Sequence, residues 1–353
     1  MLVFIDHADL TSGLVITISL FFVLSGFCMT YAYLDRPERI PRPSIASNLR
    51  FTWGKIKKLY PLHIVTLLFV AIAILGGLVL HRASGAEIAE QGGYFVANAL
   101  LLQSWIPRRA GYMSFNAVSW YLSTSAFSYF VFPWVFQAIQ SKDRNRITRL
   151  TGITLALMIL VAALLGIGKR YFGWTRANIM WVVFICPLYR AGDFIIGLVT
   201  GYVFLTHKDS WGRHHHTVAE IAVILVMILQ VVMYKSGLNK PLNWTMTLFW
   251  LPTSVLCIYL FAVNKGLISK TLSKSRFLVW IGDISAETYL IHHICIKAAA
   301  YLIKNKWVIA VIAFALTLTA TVVWRWLYSR VQVQLAKSTT HNRPSTSSGS
   351  SEP

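Results

Sequence analysis

The sequence predicts an all-α polytopic membrane protein, a bundle of about nine to ten transmembrane helices, and three observations carry that reading. Of 353 residues, 56% are hydrophobic and only 13% are charged, about half the charged fraction of a soluble domain. The apolar runs are about 20 residues long, the length a helix needs to cross a bilayer. They do not alternate in polarity, which excludes barrel strands and leaves helices, whose backbone satisfies its own hydrogen bonds.

The spans fall at 13–33, 60–80, 117–139, 147–167, 191–205, 217–234, 244–263, 284–303 and 307–328. The first holds Phe21-Phe22-Val23-Leu24-Ser25-Gly26-Phe27, where a Ser-Gly pair between large aromatics lets a second backbone or a ligand come close. The second opens on Tyr60-Pro61, and proline suits a first helical turn. Segment 97–106 is apolar but too short to span, and is expected in the interface. The third span begins at Asn116-Ala117-Val118-Ser119-Trp120-Tyr121, whose aromatics favour the membrane boundary. Met1 to Ile5 reads as the end of a first helix whose start is missing. The domain reading is a membrane domain over 1–334 and a Ser/Thr/Pro-rich disordered tail over 335–353.

The net charge is +20. In a soluble protein that would point to nucleic acid; here the basic residues sit in short loops and set orientation. One set of alternate loops holds 20 Lys and Arg and the other 11, so the richer set, with the C-terminus, is expected on the cytoplasmic side of a bacterial inner membrane. The same cations can meet an anionic cofactor or lipid headgroups. Cys28, Cys186, Cys257 and Cys295 lie scattered in apolar segments with no CxxC pair, so neither a disulfide framework nor a metal site is expected.

Several residues are candidates for chemistry. His7 precedes the first span, and a neutral imidazole there can take a proton from a hydroxyl; an exposed terminal histidine is the plainer reading. Lys55, Lys57 and Lys58 precede a helix N-terminus, an arrangement suited to phosphate or to simple positive-inside charge. Asn116 and the serines beside Trp120 are placed to bind a sugar or to cap a helix. Arg190 and Asp193 lie three apart, as an ion pair or a substrate contact. Ser285, Tyr289 and His292 share one helical face, with Asp283 and Glu287 on a second polar edge, which predicts a lined cavity.

Phe21 to Phe27, Lys55-x-x-Lys58-Leu59-Tyr60-Pro61, the 119–133 span and the Gly282 to His292 segment, in that order, resemble the membrane-bound acyltransferase family 3, whose members O-acylate surface polysaccharides and O-antigens. Pro187-Leu188-Tyr189-Arg190 with Asp193-Phe194 and Gly197 is a weaker fifth match. The resemblance implies transfer of an acyl group, usually acetyl, from cytoplasmic acetyl-CoA to a hydroxyl on a polysaccharide or lipid-linked glycan, with no metal. It implies His7 as the essential histidine, Lys55 and Lys58 as the paired basic residues, and Arg190, Ser285, Tyr289 and His292 as matched motif positions; with Ser25, Asn116 and Trp120 these are expected along the substrate path. Two positions depart from the family: no arginine stands ten residues before His7, and Ser125 replaces a glutamate found in many members. A glycan transporter or flippase, and an inactive truncated remnant, are the competing readings.

Overall fold

The computed structural model describes Phe4, His7, Ala8 and residues 16–207, 212–238 and 245–341. Within them the chain is helical, with no strand among the described residues. The principal helices are α1 (Ile16–Tyr33), α2 (Ile45–Ile56), α3 (Tyr60–Leu80), α4 (Gly85–Ala99), α5 (Trp120–Gln140), α6 (Arg144–Tyr171), α7 (Pro187–Thr206), α8 (Arg213–Ser236) and α9 (Met246–Val263). They continue with α10 (Leu267–Lys274), α11 (Arg276–Asp283), α12 (Ser285–Leu302) and α13 (Lys306–His341).

Large apolar side chains lie on the outside as well as in the core, and many polar ones are buried. On α2, Asn48, Thr52 and Ile56 are buried while Ile45, Leu49 and Trp53 are exposed. His63, Asn98, Gln103, Thr124 and Asp193 are all 0% exposed, whereas Leu80 and Leu302 are 81% and 82% exposed. Water would reverse that preference; a hydrocarbon surround explains it.

Six helices are long and apolar enough to cross a membrane: Tyr60–Leu80, Arg144–Tyr171, Arg176–Thr206, Arg213–Ser236, Met246–Val263 and Lys306–Gln334. The nine expected spans are therefore not all matched. Three helices fall short: α1, of which 13–15 lie outside the described residues, α5 and α12. Serines, tyrosines and histidines dilute α5 and α12, and these same three helices line the site described below. Segment 97–106 is the end of α4 and a pinned 3-10 turn (Gln103–Trp105): Gln103 and Ser104 are buried, and Ser104 Oγ and Ser123 Oγ are 2.5 Å apart. Helix α13 runs on to His341, into the segment read as a tail, and 342–353 lie outside the described residues.

Helix α7 is the hub, packing on α1, α5, α6 and α9. Small residues make its contact with α1: Gly26 faces Phe194 and Leu198, and Gly197 faces Val23, a close backbone approach of the kind the Ser25-Gly26 pair predicts. Each interruption in a helix is closed by a polar side chain from a neighbour, as hydrocarbon requires. Beside Pro133 in α5, Asn48 Nδ2 donates to Phe130 O at 2.8 Å; beside Pro252 in α9, Gln230 Nε2 donates to Phe249 O at 2.7 Å. Ahead of α7 a π-helical turn (Trp181–Ile185) ends in Cys186, with ψ of 121°. Pro187 cannot donate at that break, and Thr124 and Thr247 donate to the Ile185 and Val183 carbonyls at 3.0 and 2.6 Å.

One such clasp gives a prediction. Glu220 on α8 is buried, and its Oε2 accepts from Ile268 N at 2.9 Å and Ser269 N at 3.3 Å, capping α10. A Cβ on Gly266 would stand 2.2 Å from that carboxylate. Gly266→Ala should displace it and cost about 1–3 kcal/mol, the penalty of stranding buried polar groups, read as a lowered Tm in detergent.

Candidate active site

Two cavities, of about 310 and 330 Å³, lie along the face of α1 that turns away from α7, with α12 across from it. Phe21, Ser285 and Tyr289 belong to both walls. The first cavity ends at His292 and is otherwise largely apolar, with Phe4, Leu20, Ile281, Phe314 and Leu318. The second carries hydroxyls at Ser25, Ser125 and Tyr129 and a cation at Lys55. Between Thr17 in the first and Met29 in the second, α1 advances about 18 Å, more than half the hydrocarbon thickness of a bilayer.

Three rings form the partition. Phe21, Tyr121 and Tyr289 meet with centroids 5.8, 6.0 and 5.6 Å apart, tilted or edge to face, the arrangement aromatic quadrupoles favour. Their helices supply them at the same depth because α1, α5 and α12 each turn a polar-aromatic face inward. On α5 that face is Tyr121, Ser125 and Tyr129, spaced four apart. Ser25 Oγ lies 3.1 Å from Tyr129 OH.

At the first cavity's end, His7 Nδ1 is 2.8 Å from His292 Nε2, and His292 Nδ1 is 2.6 Å from the Tyr289 carbonyl. The His7 and His292 rings are 10° from parallel with centroids 5.1 Å apart. His293 stands edge-on to His7 at 5.6 Å, and Phe4 at 6.2 Å from His292.

The structure thus draws together Ser285, Tyr289 and His292 in the wall of the first cavity, with His7 bonded to His292 behind that wall, and Ser25, Lys55, Ser285 and Tyr289 in the second. Lys55 Nζ also donates to Tyr33 OH and lies over the Tyr33 and Phe51 rings, a cation–π setting that fixes its flexible stem. Lys58 is exposed and lines neither cavity. Asn116 is buried and tied to the frame, its Nδ2 donating to Leu290 O at 2.8 Å and Thr66 Oγ1 at 3.3 Å. Trp120 packs on Phe184 and on the back of Tyr121. Arg190 lies on the other side of α1, its Nη1 donating to Asp193 at 2.6 Å, Thr247 at 3.2 Å and Ser19 at 3.4 Å, with its guanidinium over Phe22. Neither Trp120 nor Arg190 lines a cavity. Glu287 is half of an ion pair with Arg325 on α13, at 3.5 Å. The lining residues Phe21, Tyr121 and Tyr129 were not among the sequence candidates, although the four-residue spacing on α5 is a signal for Tyr121 and Tyr129.

The family model described as "Acyltransferase domain" matches residues 5–327. The chain is 25% identical over 289 residues to the acyltransferase MdmB of Streptomyces mycarofaciens, across 80% of this chain and 68% of that protein. No solved structure matches.

Proposed function

The chain belongs to the acyltransferase family whose domain covers nearly its whole length, and from that premise we propose that it is an inner-membrane O-acyltransferase taking an acyl group, acetyl in the simplest case, from cytoplasmic acyl-CoA to a hydroxyl of a surface or lipid-linked polysaccharide. The carrying observation is the pair of cavities along α1, with a cation at one end and two histidines at the other.

The excess of Lys and Arg in the loops of Lys55 and Lys58 favours the cytoplasm for that end, and a cytoplasmic C-terminus. The second cavity suits a pantetheine-like arm: a mostly apolar channel with hydroxyls at Ser25, Ser125, Tyr129 and Ser285 to meet its amides. Lys55 in the wall and Lys58 on the surface outside supply charge for the phosphates. The thioester would pass the Phe21–Tyr289 partition to reach the histidines. There His7 takes the proton of the acceptor hydroxyl as its oxygen attacks the thioester carbonyl; the C–O bond forms, the C–S bond breaks and the proton follows to the leaving thiolate. Sealing the path with aromatic side chains keeps water from the thioester.

His7→Ala should lower transfer of a labelled acetyl group from acetyl-CoA to surface polysaccharide by at least about 100-fold, measured in membrane vesicles, with protein level and Tm unchanged. Full transfer by that variant would remove His7 as the base. Polysaccharide that crosses the vesicle membrane without consuming acetyl-CoA would instead identify a transporter.

A further inference from the structure

We propose that His292 is a positioning residue that fixes the tautomer of His7 and so places the basic lone pair on His7 Nε2. The proposal rests on the reading of His7 as the base and deepens it.

A backbone carbonyl can only accept a hydrogen bond. His292 Nδ1 lies 2.6 Å from the Tyr289 carbonyl oxygen, so Nδ1 carries the hydrogen and donates it. A neutral imidazole has one donor and one acceptor, which leaves His292 Nε2 as the acceptor. His7 Nδ1 lies 2.8 Å from that nitrogen and must therefore be the donor. The remaining ring nitrogen of His7, Nε2, is then the one with the lone pair.

Ring geometry supports the hydrogen bond itself. The planes are 10° apart and the centroids 5.1 Å apart, the N–N distance plus the two ring radii. The rings therefore lie end to end in nearly one plane, with the donor hydrogen aimed along the acceptor lone pair. Tyr289 belongs to the turn of α12 before His292, so the helix itself fixes the first link.

The arrangement parallels a hydrolytic triad in which a buried carboxylate orients a histidine, with a neutral imidazole in the carboxylate's place. At membrane depth that substitution avoids an unpaired buried anion. When His7 takes up the acceptor's proton at Nε2, its Nδ1–H becomes a cationic donor, and the bond to His292 becomes charge-assisted and stronger. Stabilisation thus grows as the proton moves, where it lowers the barrier. His293, edge-on to His7, brings no formal charge to the pair while it is neutral.

The test combines kinetics with a tautomer readout on the full-length protein. In vesicles supplied with labelled acetyl-CoA and surface polysaccharide, His292→Ala should lower kcat about 100-fold with the donor KM within about threefold. His292→Gln, whose amide oxygen can accept from His7 Nδ1–H, should recover at least tenfold of that loss. His7→Ala/His292→Ala should be no worse than His7→Ala alone, because residues that act as a unit are non-additive. Independently of activity, 15N NMR of histidine-labelled protein should show His7 as the Nδ1–H tautomer and a shift toward the Nε2–H form in His292→Ala. Native transfer by His292→Ala would overturn the proposal; if His7→Ala is dead in the same assay, the acyltransferase reading stands. A folded His292→Gln as impaired as His292→Ala, or His7 found as Nε2–H in the native protein, would also overturn it.

Discussion

Alanine at Gly26 or Gly197 is expected to unseat α1 from α7 and deplete the folded protein. A Cβ on Gly26 would stand 2.0 Å from the Phe194 carbonyl oxygen and 2.8 Å from Leu198 N; one on Gly197 would meet Val23 O at 2.1 Å. The colliding atoms are backbone on both sides, so no rotamer change relieves them and the helices must part. Overpacking of this kind costs about 3 kcal/mol or more, and the displaced helix carries Phe21 and Ser25, so surviving protein should also lose transfer. Gly76→Ala or Gly77→Ala on α3, where nothing lies within 4 Å, should leave Tm unchanged or raise it. Tm and the monodisperse fraction after detergent extraction decide the matter; an unaltered Gly197→Ala would show that the two helices are further apart than described.

The second large effect concerns Arg190 and Asp193, which are 1% and 0% exposed and 2.6 Å apart. Arg190→Met should destabilise by about 3–5 kcal/mol, because it leaves a carboxylate buried without its counter-charge. Arg190→Met/Asp193→Leu should recover most of that loss, since two apolar side chains of similar volume carry no desolvation penalty. The double variant also separates the two roles the sequence left open. Arg190 sits behind α1, away from both cavities, so a stable double variant should retain transfer. A stable double variant without activity would instead make the guanidinium part of the chemistry.

Sequence and structure agree best where the information is local. The Ser25-Gly26 pair announced both of its functions, a wall residue and a helix contact. The 60–80 span matches α3 end to end, and Ser285, Tyr289 and His292 were legible as one face from helical periodicity alone. The break at Cys186 has a local cause that the expected spans did not include: the residue before Pro187 is pushed out of the helical region. Long-range placement was not legible. Nothing in the sequence brings His7 to His292, 285 residues away, or says that Arg190 lies on the far side of α1 from Ser25. Phe21 and Tyr121 read in one dimension as ordinary span aromatics; only the bundle shows that they meet. Asn116 illustrates the converse, a polar residue that reads as a ligand or cap and serves as a tie between helices.

The dilution of α5 and α12 by polar residues has a consequence for biogenesis. A segment enters the bilayer from the translocon by partitioning on its own hydrophobicity, and each serine, tyrosine, histidine or ionisable group near its centre weakens that step. These two helices of the site are therefore poorer at entering unaided than α3, α6, α8 and α13. Pairing α12 with α13, where Arg325 neutralises Glu287, lowers that cost. The residues that make the path polar are thus also the ones that weaken membrane entry of the helices that carry them.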